Sequence, residues 1–580
     1  MRTRFSPLAA VLTAFLAGCG PRAAGPTPAT ETPVPPETTP GAAPERPQQA
    51  KAEDAPLQWR FERDDDGRPV RVVDPAGRPT TFAYHQDGRK RLQRLEKKLA
   101  DGSSVALDFD EFGQARSMTD ATGETSYAHD GFGRLTRVGR AGLPDVRFEY
   151  DGLDRVTALH VGADCTIEYA YDFQGRLAAM KTPAGDVRYE YRPGDGEVAR
   201  TLPNGIATVW RCRPDGRLAS ITHADKDRLI LAQFQYTYRP DGRIAEIKET
   251  TRRGEKTIRY EYDTAKRLTA VDDSRKGKTA YAYDPYGNRT KVVGPDDKAV
   301  ASKCDWAGRL VEHGGLPCEQ DGAGALTRYA GLRGEASLSY TADGLLRSSA
   351  VVGSKVEYRY DGAGDLVGRA EAGAATRFVT DPRADSWRPL TALEGDKKTY
   401  YIWEGDRPLA ALTDGQVRFF LLDHLGSVRA TTGADGRIAD SDWRDYDAFG
   451  VPSSPPDGLQ PGFTGLFYDA PTGLYLARAR AYEPTLGRFL QRDPQHRTPM
   501  GSANDLCACA YCGDDPVNYH DCSGADRQPA LDWEDLSDLL NADFAARWYA
   551  AKADQARASG SDWTARGFDI LGGVLPWIPK

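Results

Sequence analysis

The sequence predicts an all-β protein made of repeated β-hairpins, and three observations carry that prediction. The 580 residues hold 59 Gly, 38 Pro and 27 Tyr but only 4 Met, a composition suited to strands joined by many tight turns. The chain also echoes itself. YAHDGFGRL (127–135), FEYDGLDRV (148–156) and YAYDFQGRL (169–177) follow one another, and YTYRPDGRI (236–244), YEYDTAKRL (260–268) and YAYDPYGNR (281–289) come later. The period, about 20 to 26 residues, lies in the range of repeat architectures. Finally, each copy carries the chemistry of one hairpin. Tyr-x-Tyr puts two aromatics on one face of a strand. Asp-x-x-Gly supplies a turn, because Asp bonds its own backbone and Gly accepts conformations other residues resist. The Arg-Leu or Arg-Val that follows starts the return strand.

Weaker copies extend the pattern: RCRPDGRL (211–218), CDWAGRL (304–310), SYTADGLL (339–346) and YRYDGAGDL (358–366). A lone hairpin is marginal in water, so neighbouring hairpins must pair edge to edge into one long sheet. The tyrosine ladder has two readings, a sugar-stacking surface and cross-strand packing. A pattern present in every repeat fits packing better.

The N-terminus reads as an address. Arg2 and Arg4 precede an apolar run, Leu8 to Leu16, and the small-residue site Leu16-Ala17-Gly18-Cys19. That run is too short to span a bilayer as a mature helix. Residues 20–56 are rich in Pro, Thr and Ala with almost no large apolar side chain, which predicts an unfolded, extended spacer. The net charge of -8 is spread along the chain, so no basic footprint for nucleic acid is present.

Two further stretches give the chain a family. Residues 400–450 read YYIWEGDRPLAAL and then FFLLDHLGSVRATTGADGRIADSDWRDYDAFG, and residues 463–524 begin FTGLFYDAPTGLYLARARAYEPTLGRFLQRDP and end GDDPVNYHDCSG. Together with the Tyr-Asp repeats, these resemble the RHS/YD-repeat family and its repeat-associated core. The resemblance implies a spiral of β-hairpins forming a full or partial hollow shell. It divides the chain into a signal peptide (1–19), a linker (20–56), repeats (57–399), a core (400–525) and a variable tail (526–580). The start resembles a bacterial lipoprotein signal, which implies lipidation of Cys19 and a membrane anchor. Gly20 then favours the outer membrane, facing either the periplasm or the outside. An ordinary signal peptide with a coincidental Cys is the competing reading.

In several relatives the core cuts its own chain with two aspartates. Carried onto this sequence, the pair is Asp493 and Asp521, Arg492 positions or compensates them, and the cut follows Ala525. Two carboxylates held together share a proton, so one activates water while the other donates. The sequence departs from the family pattern in three places: Asp521-Cys522 replaces Asp-Pro, Gly524-Ala525 replaces Gly-Leu, and a longer segment with NDLCACAYCG separates the aspartates. The plain alternative makes both aspartates turn-forming, salt-bridged residues. His424, beside Asp423, reads as a turn histidine because no motif ties a nucleophile to it.

Nine cysteines are present. Cys507, Cys509, Cys512 and Cys522 cluster, and two disulfides stapling the core are expected, with a tetrahedral metal site the weaker alternative. No resident metal or cofactor is expected. Residues 526–580 contain a segment with Leu536, Leu539, Leu540 and Phe544 at helical spacing, which predicts a short helical tail without a catalytic constellation. The functional expectation is an envelope-tethered shell scaffold of polymorphic-toxin type with a self-processing core. The alternative is a non-enzymatic surface protein that contacts cells through glycan or protein. A shell this short also raises the prospect of a second chain closing it.

Overall fold

The computed structural model describes residues 59–494 and 508–530, apart from positions 193, 195 and 306. The expected signal, Cys19, the linker, Cys507 and the helical tail beyond residue 530 lie outside the described residues. No α-helix occurs among the described residues. They form one sheet of 25 strands from Arg60–Arg63 to Leu316–Pro317, then one of 12 strands from Glu319–Gln320 to Val428–Thr432. Each strand of these sheets pairs antiparallel with the next along the chain, as in Cys165–Tyr171 with Leu177–Thr182.

The repeat residues build each hairpin in one way. The Asp172 carboxylate accepts backbone N–H bonds from Gln174 (2.9 Å) and Arg176 (2.9 Å), and Arg176 Nε adds a third (2.8 Å). Gly175 closes the turn at a φ of +85°, where a side chain would be strained. The Arg176 guanidinium then lies 4.1 Å over the ring of Tyr191 in the next hairpin, and Tyr191 Oη donates to the Leu177 carbonyl (2.8 Å). The preceding repeat does the same: Arg155 lies over Tyr171, whose hydroxyl donates to the Val156 carbonyl (2.7 Å). The second tyrosine of Tyr-x-Tyr therefore ties neighbouring hairpins together. The first faces the core, and Tyr189, Tyr236, Tyr281 and Tyr358 are buried. The ladder packs inward.

The same units also bend the ribbon. The register slips beside the second tyrosine in hairpin after hairpin, at Ala170/Tyr171, Thr237/Tyr238, Glu261/Tyr262, Ala282/Tyr283 and Arg359/Tyr360. A bulge increases local twist, and repeating it at one edge makes the curvature accumulate. Contacts between layers record the result. Lys97 meets Asp343, the Gly362 N–H donates to Asp120, Arg377 reaches the Gly142 carbonyl and Lys398 meets Asp164. Further on, Arg200 pairs with Glu404 and His223 bonds the Leu422 carbonyl. The partner's number rises with the residue's own. A ribbon folded back on itself would show the reverse order, so this ribbon winds in one sense, as a spiral. The separation falls from 246 residues to 199 along the series, so the winding tightens.

The wall closes on the segment that follows it. A five-stranded sheet, Leu459–Pro461, Phe467–Asp469, Leu474–Leu476, Ala481–Glu483 and Arg488–Phe489, is buried along most of its length. One apolar cluster runs from Leu135 to Val517 and joins wall to core. Polar ties fix the register between them: Tyr358 Oη and Arg369 on Asp469, Tyr329 Oη on Glu483, and Lys256 with Arg429 on Asp445. Asp469 is buried and paired with Arg369, the condition under which a buried charge is tolerated.

Candidate functional site

The core ends in a turn built like the wall's own. Asp521 Oδ1 accepts the Ser523 hydroxyl (3.0 Å) and the backbone N–H groups of Gly524 (2.8 Å), Ala525 (3.1 Å) and Asp526 (3.3 Å). Gly524 sits at a φ of +70°, and a Cβ there would stand 3.0 Å from both the Ala477 Cβ and the Arg480 backbone nitrogen. Only glycine fits, because the turn lies directly against residues 477–480. The Ala479 N–H donates to the Ser523 carbonyl (3.0 Å) across that contact.

In the wall, the arginine that pairs with a turn aspartate comes from the same turn, as Arg176 does for Asp172. At Asp521 it comes from elsewhere. Arg480 Nη2 lies 3.1 Å from Asp521 and 3.3 Å from Asp493, so one nitrogen serves both carboxylates. Its Nε donates to the Gly524 carbonyl and its Nη1 to the Ala508 carbonyl (3.0 Å), while Phe489 lies 3.7 Å beneath it. Asp493 is held by its own N–H on the Ala508 carbonyl (2.9 Å). All three charged side chains are nearly withdrawn from water. One guanidinium against two carboxylates is neutral only when the pair holds one proton. Burial raises the Asp521 carboxyl above the usual range, Arg480 opposes that, and Asp493 adds to it.

Arg480, rather than Arg492, is the arginine that contacts both Asp493 and Asp521. Arg480 belongs to the Ala-Arg-Ala-Arg run of the core, and its neighbour Arg478 pairs instead with Asp365 of the wall (2.8 Å). The run was visible in the sequence; which arginine served the site depended on tertiary contact. The nitrogen of the Ala525–Asp526 peptide lies 3.3 Å from Asp521 Oδ1, farther than those of Gly524 and Ala525.

The cysteines correct the disulfide expectation. Cys509, Cys512 and Cys522 are free thiols, as are Cys165, Cys212, Cys304 and Cys318. Cys522 faces the Thr464 carbonyl (3.1 Å) and His520 (3.3 Å), whereas Cys304 lies by Arg488 (3.8 Å). The weaker metal alternative also lacks a site, since no cluster of three or more His, Cys, Asp or Glu forms among the described residues. His424 is a buried turn residue: its Nε2 meets the Val517 carbonyl (3.0 Å), its ring packs on Tyr236, and burial lowers its pKa. Ser427 caps the Thr464 N–H instead of approaching it.

Comparison with known proteins places this architecture. Residues 226–505 match the Teneurin YD-shell family model, and residues 109–143 match the RHS Repeat model. The chain belongs to the RHS/YD-repeat family. It is 28% identical over 392 residues to "Toxin protein Tse5" of Pseudomonas aeruginosa, covering 63% of this chain and 27% of that protein. It is 25% identical over 551 residues to "Double-stranded DNA deaminase toxin A" of Burkholderia cenocepacia, covering 74% of this chain and 38% of that one. The chain thus spans well under half the length of these curated relatives. Among solved structures, it superposes on a chain of the TcdB2-TccC3-TEV crystal structure with a TM-score of 0.66 at 16% identity, covering 81% of this chain and 27% of that chain. This RHS/YD shell is related to polymorphic toxins by sequence and to the Tc-toxin shell by fold.

Proposed function

We propose that this chain is a lipid-anchored envelope shell whose core cuts its own backbone after Ala525, freeing the tail from residue 526. The observation that carries the reading is the sharing of Arg480 by Asp493 and Asp521 at the peptide to be cut. Asp521 Oδ1 stands 3.3 Å from the Asp526 nitrogen, the leaving group of that cleavage. Water adds to the Ala525 carbonyl carbon and gives a proton to the Asp493 carboxylate. The proton held by the pair on Asp521 passes to the Asp526 nitrogen as the C–N bond breaks, leaving Ala525 as a carboxylic acid that yields its proton to the new Asp526 amine. Arg480 balances the single negative charge with which the pair starts and ends the step, and its Nε holds the Gly524 carbonyl.

The apolar start ending at Cys19 and the proline-rich spacer support tethering to the outer membrane, and the toxin relatives support a cargo role for the tail. A second chain closing the shell is supported by the TcdB2-TccC3 neighbour, which joins two components. The test is expression of the full chain beside Asp493→Asn and Asp521→Asn variants. Self-processing predicts two fragments from the parent and one intact chain from each variant. An uncut parent would leave the pair as the turn-capping, charge-paired residues of an inert core, and the surface-adhesion reading would take its place.

A further inference from the structure

Four consecutive wall hairpins present a large apolar residue at the tip: Phe112 (78% exposed), Phe132 (55%), Leu153 (68%) and Phe173 (94%). The tips lie on one edge of the ribbon. Two strands separate each from the next, so they stand about 9.5 Å apart and the row runs about 30 Å. The row is continuous and braced. Arg91 donates to the Glu111 carbonyl (3.0 Å), and Arg134 donates to the Asp151 carbonyl (2.9 Å) and to Asp154 (3.0 Å) on the neighbouring tip. It is also locally neutral for most of its length, because Asp130, Asp151 and Asp172 are each paired with their own arginine.

The next turn of the spiral shows what such an edge does when it is covered. Its tips seat on the first layer: Gly322 against Ala76, and Gly362 against Val105 and Met118. The covered tip carries small residues, Gly362 and Ala363, while the free edge carries Phe and Leu. The next tip before Phe112 carries Gly88 and Arg89, with Asp65 and Asp66 beyond it, and further along the other way stand Pro214 and Asp215. The apolar row is therefore confined to four repeats.

We propose that this row is a docking edge for a second copy of this chain, joined tip row to tip row about a two-fold axis. Equal spacing makes the row self-complementary under that rotation, and its neutralised aspartates leave little repulsion between copies. The opposite free edge, with Asp396 and Asp414 between Val352 and Gly415, offers no matching apolar row for head-to-tail growth. Four such side chains cover roughly 100–150 Å² each. A pair of copies then buries about 1,000 Å², the lower bound for a specific interface. The dimer is accordingly weak and reversible.

The experiment is sedimentation velocity of the full chain from about one to about one hundred micromolar, the range suited to an interface of this size. It is run beside a variant combining Phe112→Ser, Phe132→Ser, Leu153→Ser and Phe173→Ser. The parent is expected to shift from monomer to dimer across the range, and the variant to need at least about tenfold more protein. Thermal melting of the variant should match the parent, since the replaced side chains are exposed. A parent that stays monomeric, or dimerises equally well in the variant, overturns the proposal. Flotation with neutral phosphatidylcholine vesicles is run alongside. Binding that the variant loses, with no dimer in solution, would assign the row to lipid and equally overturn it.

Discussion

Replacing Arg480 with Met removes the guanidinium that contacts both Asp493 and Asp521 while keeping much of the side chain's volume. The structure sets the size of the effect. Arg480 and both aspartates are nearly withdrawn from water, and its contacts at 3.1 and 3.3 Å are joined by bonds to the carbonyls of Ala508 and Gly524. Breaking a buried pair by deleting one partner costs about 3–5 kcal/mol. At about 1.4 kcal/mol per decade, that is a rise of two to nearly four decades in local opening. Hydrogen exchange at the Gly524 and Ala525 amides reads it, because both donate to Asp521. Arg217→Met is the control. Its pair with Asp215 has side chains 35% and 40% exposed, and such pairs contribute about 0–1 kcal/mol. The effect at Arg480 should also shrink as pH falls toward the ordinary aspartate value of about 4, where protonation discharges the abandoned carboxylates. Exchange at Gly524 and Ala525 within about threefold of the parent, a difference below about 0.7 kcal/mol, would refute the electrostatic account of this site.

Three other outcomes follow from the wall. Gly362→Ala drives a methyl to 2.3 Å from Val105 Cγ1 and should cost about 1–3 kcal/mol by forcing the layers apart, whereas Gly131→Ala, with nothing within 4 Å, should leave the melting temperature nearly unchanged. Burial pushes the His223 imidazole down to about 3, helped by nearby Arg200, so it is neutral when folded. The unfolded chain protonates below about 6.5, so stability from this group is complete above that pH and is lost as pH falls toward 3; His223→Gln should flatten that part of an acid-denaturation curve. Tyr171→Phe deletes the hydroxyl that bonds the Val156 carbonyl and should lower stability by about 0.5–1.5 kcal/mol in a denaturant titration.

The hairpins were legible because each is made by residues within a few positions of one another. Asp172, Gly175 and Arg176 form their turn with no help from elsewhere, and Tyr-x-Tyr needs only strand alternation. Asp493 and Asp521 were singled out by the family resemblance alone, although Gly524, three residues after Asp521, also marks a turn there. Arg480 was not assigned, because its role depends on residues 477–480 lying against Gly524, which no local rule specifies. The disulfide expectation failed for a related reason. Spacing in the sequence does not set side-chain partners: Cys522 meets the Thr464 carbonyl and His520, and Cys509 and Cys512 are free thiols. The winding of the ribbon likewise emerges only when the bulges beside Tyr171, Tyr262 and Tyr360 add up over many repeats.

The most direct test of the central claim is the intact mass of every fragment from purified full-length protein, with the N-terminal residue of the smaller piece identified. Self-processing by Asp493 and Asp521 predicts a large fragment ending at Ala525 and a small one beginning at Asp526, neither appearing in the Asp493→Asn variant. A cut at another bond, or the same cut in that variant, would contradict the account.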